Sequence, residues 1–419
     1  METNQNRRNF LATSTLAGAA LALDQGGVYA AERNEVKVGL IGCGGRGTGA
    51  AANALKAEPY AKLVAMGDVF PEKLTGSLET LKRSRVKDQI QVPKEMQFIG
   101  MDAYKKVIEA SDVVLLTTTP HFRPMHLAAA VEAGKHVFAE KPLAVDAPGV
   151  RSVIATAKKA KEKNLGLLVG FCYRWDLAKR ETIKRIHDGA IGDVLALHVS
   201  FNTGELWYRP TQAKFNTMEY QMLNWYYFNW LSGDHIVEQH CHNHDKATWV
   251  LKGEMPIACT GVGGRQKRTD PKYGNIFDHH SVVYEYKSGV KVFSVCRQMN
   301  GTPSSVQDHV FGSNGSAQLM THTIFGPKKW NWDGDAPSMY DQEHLEFFES
   351  IRAGKPINNG EEGARSTLMS IMGRMATYTG QRITWDMAMN SKEDLSPKSY
   401  DWAELEYAPP AIPGVTKFI

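Results

Sequence analysis

The sequence predicts an α/β chain: a doubly wound parallel-sheet domain followed by an α+β domain with a large, open, mostly antiparallel sheet. Three observations predict it. Continuous apolar runs alternate with helical stretches through the first third, the pattern of strands buried on both faces. The first such run ends in a glycine-rich turn. Later strands are joined by short turns such as Lys287-Ser288-Gly289, which suits antiparallel pairing.

Each element has its own warrant. Residues 36–41 (VKVGLI) are a short β-branched apolar run, and 49–57 carry helical spacing. A second strand is expected at 61–66, a buried strand at 112–117, a helix at 126–133 and a strand at 136–139. Beyond a helix at 150–163 the pattern changes. Strands are expected at 167–171, 194–201, 258–262, 280–286, 290–297 and 309–312, then helices at 341–353 and 363–379. The Pro-rich tail from 408 has no helical period and reads as an extended arm.

The first thirty residues read as a leader. Arg7-Arg8 precedes a mild apolar stretch from 11 to 23 and a small residue, Ala30, where cleavage would fall. The stretch is too short for a permanent membrane anchor. The arginine pair points to the twin-arginine export route and a periplasmic or other extracytoplasmic location.

With 419 residues, 42% hydrophobic and 22% charged, the chain can hold two cores. A net charge of +4 gives no electrostatic case for a nucleic-acid partner. Cys43, Cys172, Cys241, Cys259 and Cys296 are scattered and odd in number, which fits neither a disulfide framework nor a zinc site.

Gly42-Cys43-Gly44-Gly45-Arg46-Gly47 matches G-x-G-x-x-G, directly after a strand and before a helix. In that context the glycines allow a tight turn, close approach to a pyrophosphate and close helix packing. Asp68 ends the second strand, where its carboxylate would meet ribose hydroxyls and repel a 2′-phosphate. NAD is therefore expected over NADP. Folded export would let the cofactor be loaded first, so tight binding is expected. The domain plan is a leader at 1–30, a dinucleotide-binding Rossmann domain at 35–155 and a substrate-binding and oligomerisation domain at 156–335. Helices at 336–380 pack back on the first domain, and 381–419 form the arm.

At Ala133-Gly134-Lys135-His136-Val137 and Glu140-Lys141-Pro142 the sequence resembles the glucose–fructose oxidoreductase, inositol dehydrogenase and MocA family. The resemblance runs from about 36 to 379, through VGLIGCGGRG, TTTPHFRPMH, AGKHVFAEKPLA, VGFCYRWD and VEQHCHNHD. It implies an NAD(P)-dependent oxidoreductase acting on CH–OH groups of a sugar, glycoside or cyclitol. It also implies that Lys141 is the site lysine, that Glu140 lies near the nicotinamide, and that Thr118, Pro120 and His121 pass under the cofactor. Glu238, Gln239, His240, Cys241 and His242 match a pocket segment D-x-G-x-H, so His242 takes the place of the catalytic histidine. Glu238 and His240 depart from that pattern. Asp245 and Trp249 keep its flank, and Tyr173, Arg174 and Asp176 fall in another pocket segment. Relatives commonly form dimers or tetramers through the open sheet.

The residue types suit the chemistry independently. A neutral His accepts a hydroxyl proton, and a Lys cation stabilises a developing alkoxide. Glu238 either orients His242 or bonds a sugar hydroxyl. Arg209, in a candidate rim from Glu205 to Pro210, would bond substrate. The run 225–230 (WYYFNW) is a sugar-stacking wall, a subunit contact or core. The cluster of His235, His240, His242 and His244 invites a metal reading, because alternating histidines in a strand can present ligands on one face and Glu238 could join them, but NAD chemistry already uses His242 and no metal is expected. Two other functions stay open: an NAD-dependent glycosidase working by transient oxidation, elimination and re-reduction, and a non-catalytic sugar sensor.

Overall fold

Six short strands, apolar on both faces, assemble into one parallel sheet in a computed structural model that describes residues 35–419. The expected leader lies outside the described residues. The strands are β1 (Val36–Ile41), β2 (Ala61–Asp68), β3 (Gln97–Ile99), β4 (Val113–Leu116), β5 (His136–Ala139) and β6 (Leu167–Val169), in the order β3-β2-β1-β4-β5-β6. Helices α1 (Gly45–Ala57), α2 (Pro71–Lys82), α3 (Ala103–Ala110), α4 (Arg123–Glu132) and α5 (Ala147–Glu162) connect them. Strand order reverses between β1 and β4, and ligands of such sheets bind outside the carboxyl ends of the strands at that point. The boundary expected at 155 falls short: β6 pairs with β5, because one more βα unit follows before the topology changes.

After α6 (Leu177–His187), β7 (Val194–Thr203) enters a second sheet. A helical stretch follows: α7 (Met218–Leu223), α8 (Asn229–Ser232), α9 (His235–Glu238) and α10 (Cys241–Val250). The histidine segment is thus helical, not the strand its alternation suggested. Asp234 caps α9 by accepting from the His235 N–H. The sheet is completed by β8 (Ala258–Gly264), β9 (His279–Glu285), β10 (Lys291–Gln298), β11 (Ser305–Gly312), β12 (Gly315–Gln318), β13 (Thr323–Phe325) and β14 (Trp330–Asn331). Its order is β14-β13-β12-β11-β7-β10-β9-β8, with a late strand, β15 (Ile383–Thr384), added at the β8 edge, and only β10 with β7 runs parallel. Leu197, Val292 and Val310, in register, face the core, whereas Val262, Phe293 and Phe311 face outward at 72%, 43% and 45% exposure.

Two late helices tie the halves together. α11 (Met339–Arg352) packs on α1 of the first sheet. α12 (Gly360–Thr379) is buried nearly throughout, between α5 and the inner face at β8 and β9, so it belongs to both halves. The arm expected over 381–419 begins with structure: β15 (Ile383–Thr384) adds to the sheet edge and α13 (Trp385–Asn390) follows. The rest is extended but stitched down. Leu405 O accepts from Gln221 at 2.6 Å, and the Leu395 N–H donates to Asp146 at 3.0 Å. Among the described residues no helix is long and apolar enough to cross a membrane.

Candidate active site

The carboxyl ends of β1, β2, β4, β5 and β6 open into one cleft beneath α9 and α10. At its β1–β2 end the wall includes the glycine turn. Gly42 has φ +95°, a conformation glycine adopts without strain. A Cβ on Gly47 would lie 1.9 Å from Gly42 O, so only glycine lets α1 start this close to β1. Gly44 and Gly45 have nothing within 4 Å where a Cβ would stand, leaving the α1 N-terminus open to a phosphate. Asp68 accepts from the Cys43 N–H at 2.6 Å and the Phe70 N–H at 2.9 Å, one on each carboxylate oxygen. Burial holds its pKa above the ordinary range despite those donors. A dinucleotide fits this cradle: glycines for the pyrophosphate, Asp68 for the ribose, Thr117 to Thr119 along the floor.

The β5–β6 end is made of side chains. Lys141 Nζ donates to the Glu238 carbonyl at 2.6 Å and to its carboxylate at 3.1 Å. The two side chains are only 13% and 14% exposed. Burial works against the ammonium, but Glu238, with Cys241 and Glu140, outweighs it and lifts the pKa above the ordinary lysine value. Lys141 is therefore a fixed cation. His242 is the reverse case: burial, then the charges of Lys141 and Lys246, holds it well below the usual histidine range, so its ring is neutral. The ring packs edge-on against Tyr173 at 5.2 Å and Phe171 at 6.0 Å. Tyr173 is pushed up to about 12 by burial, and its ring carries Lys246 and Lys179 at 4.2 and 4.9 Å.

Glu140 pairs with Arg46 at 2.7 Å, and the Arg46 guanidinium lies over Tyr340 at 4.7 Å. Both expected cofactor residues thus line the wall, braced by each other. Trp207, Arg209 and Trp225 cover the cleft from the other side. This end holds a cavity of about 600 Å³, within the ~300–1,000 Å³ of an ordinary ligand pocket.

Most of the expected residues meet here: Gly42, Gly44, Gly45, Arg46, Gly47, Asp68, Thr118, Glu140, Lys141, Tyr173, Arg209, Glu238 and His242. Others do not. Arg174 turns away and forks onto Asp245 at 2.8 and 2.9 Å, tying the turn after β6 to α10. His121 faces the arm, where Nε2 meets Tyr400 Oη at 2.9 Å, and burial lowers it to about 4. Pro120 begins the same short turn and is buried. Of the two roles open to Glu238, the structure shows a third, holding Lys141. The histidines do not converge. His240 and His244 both bond Ser294 Oγ, at 2.7 and 2.8 Å, and His235 bonds Asp234 at 2.8 Å. Asp234, His235 and His280 lie close together, but Asp234 already accepts from the Phe277 N–H at 2.8 Å and the Tyr378 hydroxyl at 2.6 Å.

Sequence reasoning missed Tyr340 and gave Arg123 no role. The buried Arg123 donates to Thr118 O at 2.6 Å and to Pro142 O, clamping the β4 loop to the Lys-Pro segment. Arg123 lies within TTTPHFRPMH, but nothing in that segment tells which carbonyls it holds; only a fold that returns α11 to α1 brings Tyr340 in.

The parallel sheet, its phosphate turn and a fixed cation beside a neutral imidazole define an NAD(P)-binding oxidoreductase. Residues 36–170 match the oxidoreductase family with an NAD-binding Rossmann fold (GFO_IDH_MocA), and 180–318 match the GFO/IDH/MocA C-terminal domain; the chain belongs to this family. It is an enzyme of the class that acts on CH–OH groups. An inositol 2-dehydrogenase of Burkholderia vietnamiensis is 27% identical over 335 residues, 76% of this chain and 87% of that one. A 2,7-anhydro-N-acetylneuraminate hydratase of Escherichia coli is 26% identical over 200 residues, 47% of this chain and only 49% of the relative. The solved aldose-aldose oxidoreductase from Caulobacter crescentus, complexed with glycerol, shares the fold with TM-score 0.64 at 20% identity, over 84% of this chain and 100% of that one.

Proposed function

We propose that the enzyme moves a hydride between a hydroxyl-bearing carbon of a sugar, glycoside or cyclitol and a tightly held nicotinamide dinucleotide, NAD in preference to NADP. The observation that carries this reading is the meeting of fixed Lys141 and neutral His242 in the cleft that holds the glycine-rich turn. The bound dinucleotide supplies the hydride acceptor. His242 takes the hydroxyl proton, which a neutral imidazole can do and an imidazolium cannot. Lys141 sits where negative charge develops on the alcohol oxygen, and Glu238 keeps it there. The Tyr173 phenol stays protonated and can donate to a hydroxyl. Trp207 and Trp225 offer flat faces to a sugar ring. Asp68 favours a free 2′-hydroxyl. The relatives' names, an inositol dehydrogenase and an aldose-aldose oxidoreductase, support the substrate class.

The reading includes twin-arginine export of the folded, loaded enzyme, and alternate half-reactions on two sugars. It also includes a homodimer or homotetramer joined through the outward face of the second sheet, where Val262, Phe293 and Phe311 stand exposed. The relative named as a hydratase favours a second reading, transient oxidation followed by elimination and addition of water, which would make the enzyme an NAD-dependent glycosidase.

The test is to load the mature chain with NAD and add aldoses, cyclitols and nitrophenyl glycosides in turn. Reduced-nicotinamide absorbance appearing with one class supports the dehydrogenase. Release of nitrophenol with no accumulating NADH supports the glycosidase. Sugar binding with activity unchanged in Lys141→Ala would restore the sensor.

A further inference from the structure

Arg209, expected to meet substrate, has a second neighbourhood besides the Lys141 end of the cleft. It lines both ends of the cleft, and at the β1–β2 end it faces the same cavity as Asp68 and Lys73. Its charge is near enough to Lys73 to help burial lower that lysine's pKa. Among the described residues neither cation is ion-paired with a carboxylate. The position is also fixed. The Arg209 N–H donates to Asn224 Oδ1 at 2.9 Å, Asn224 Nδ2 returns a bond to Arg209 O at 3.1 Å, and the guanidinium lies over Trp207 at 4.5 Å. Two repelling cations held toward one cavity, beside the glycine turn, are a poor arrangement for an empty wall and a good one for an anion.

The geometry points to Arg209 and Lys73 as a phosphate clamp on the adenosine half of the dinucleotide. Lys73 comes from the cofactor sheet's own α2, and Arg209 is carried across the cleft by the segment after β7. The clamp rests on the cofactor reading above and deepens it: the second half of the molecule holds the cofactor as well as the substrate. It also offsets Asp68, because two cations beside one carboxylate admit a 2′-phosphate that the carboxylate alone would repel. The phosphate engaged is either the pyrophosphate, common to both cofactors, or the 2′-phosphate of NADP.

The test uses full-length mature protein stripped of nucleotide, with NADH rebinding as the control that the cleft is intact. Calorimetry then measures ADP-ribose, 2′-phospho-ADP-ribose and adenosine on the wild type and on Arg209→Gln, Arg209→Lys and Lys73→Gln. The glutamine variants should weaken the phosphate-bearing ligands by about tenfold or more, leave adenosine unchanged, and be partly rescued by Arg209→Lys. Equal losses for both ribose ligands identify the pyrophosphate; a loss confined to the 2′-phospho ligand identifies the 2′-phosphate. Either supports the clamp. Unchanged affinities in all variants, or an equal loss for adenosine, overturn it. Wild-type protein that binds no dinucleotide overturns the cofactor reading itself, an outcome distinct from any failure of the variants.

Discussion

Around Asp68 the cleft starts from the glycine turn and the open end of α1, whereas around Lys141 it is made of side chains drawn from stretches far apart in the chain. The first end starts from a tight turn, an open helix terminus and one carboxylate, all between β1 and the end of β2. The second needs Lys141 from the segment after β5, Tyr173 from the turn after β6, Glu238 and His242 from two short helices, and Tyr340 from α11. Backbone sites fail when a Cβ is added; side-chain sites fail when charge is removed. The two ends should therefore break in different ways.

The largest effect is expected from Gly47→Ala. Its Cβ would collide with the Gly42 carbonyl, so the turn must move; stability should fall by about 3 kcal/mol or more and nucleotide retention should be lost. Gly45→Ala, with open space at that position, should keep the wild-type denaturation midpoint and lose only cofactor affinity. Equal melting losses for both would erase the contrast.

Next come the charged residues. Lys141→Met should lower kcat about 10²–10³-fold while the cofactor stays bound, the size expected for losing one group that stabilises developing charge. His242→Gln should cost about 10²–10⁴-fold and remove the acid limb of the kcat/KM profile. Because burial lowers the His242 pKa, that limb in the wild type should lie below the ordinary histidine range. A limb at or above that range would contradict the neutral base.

A smaller effect, spread over the whole molecule, concerns acid. Burial holds His121 and His235 at about 4, and His126, His244 and His344 at about 3. These pKa values are depressed on folding, so below about 6.5 the unfolded chain binds protons that the folded chain refuses. Stability is complete above about 6.5 and should fall as pH drops from there toward 4, by up to about 1.4 kcal/mol per pH unit for each such histidine. Urea midpoints at pH 7, 6 and 5 would show it; a midpoint that is flat or rises on acidification would contradict these assignments. The mildest change is Asp68→Ser, which should keep the fold and shift the NAD-to-NADP affinity ratio toward NADP by about tenfold.

The same contrast explains what could be read without a structure. The first sheet was legible because β1 and β4 are continuous apolar runs, and the glycine turn because its constraint is local. β6 was assigned to the wrong half because nothing in Leu167–Val169 says which sheet it joins. The histidine segment was misread because its buried face is polar: His235, His240, Asn243 and His244 point inward, so no apolar stripe marks the helices. Lys141 and His242 were found through a resemblance and Glu238 with them, but its grip on Lys141 depends on how α9 is docked. Arg174 was misplaced because its Asp245 partner lies 71 residues away. β3, β14 and β15 are too short to leave a periodic signal.

The central claim is that this cleft keeps a nicotinamide dinucleotide. The most direct measurement is to purify the mature chain, dialyse it, denature it and identify the released nucleotide by mass spectrometry. The account predicts NAD or NADH in near-equal amount to the chain. Released NADP would keep the enzyme class and overturn the preference assigned to Asp68, and a dialysed protein that releases no nucleotide would contradict the retained cofactor.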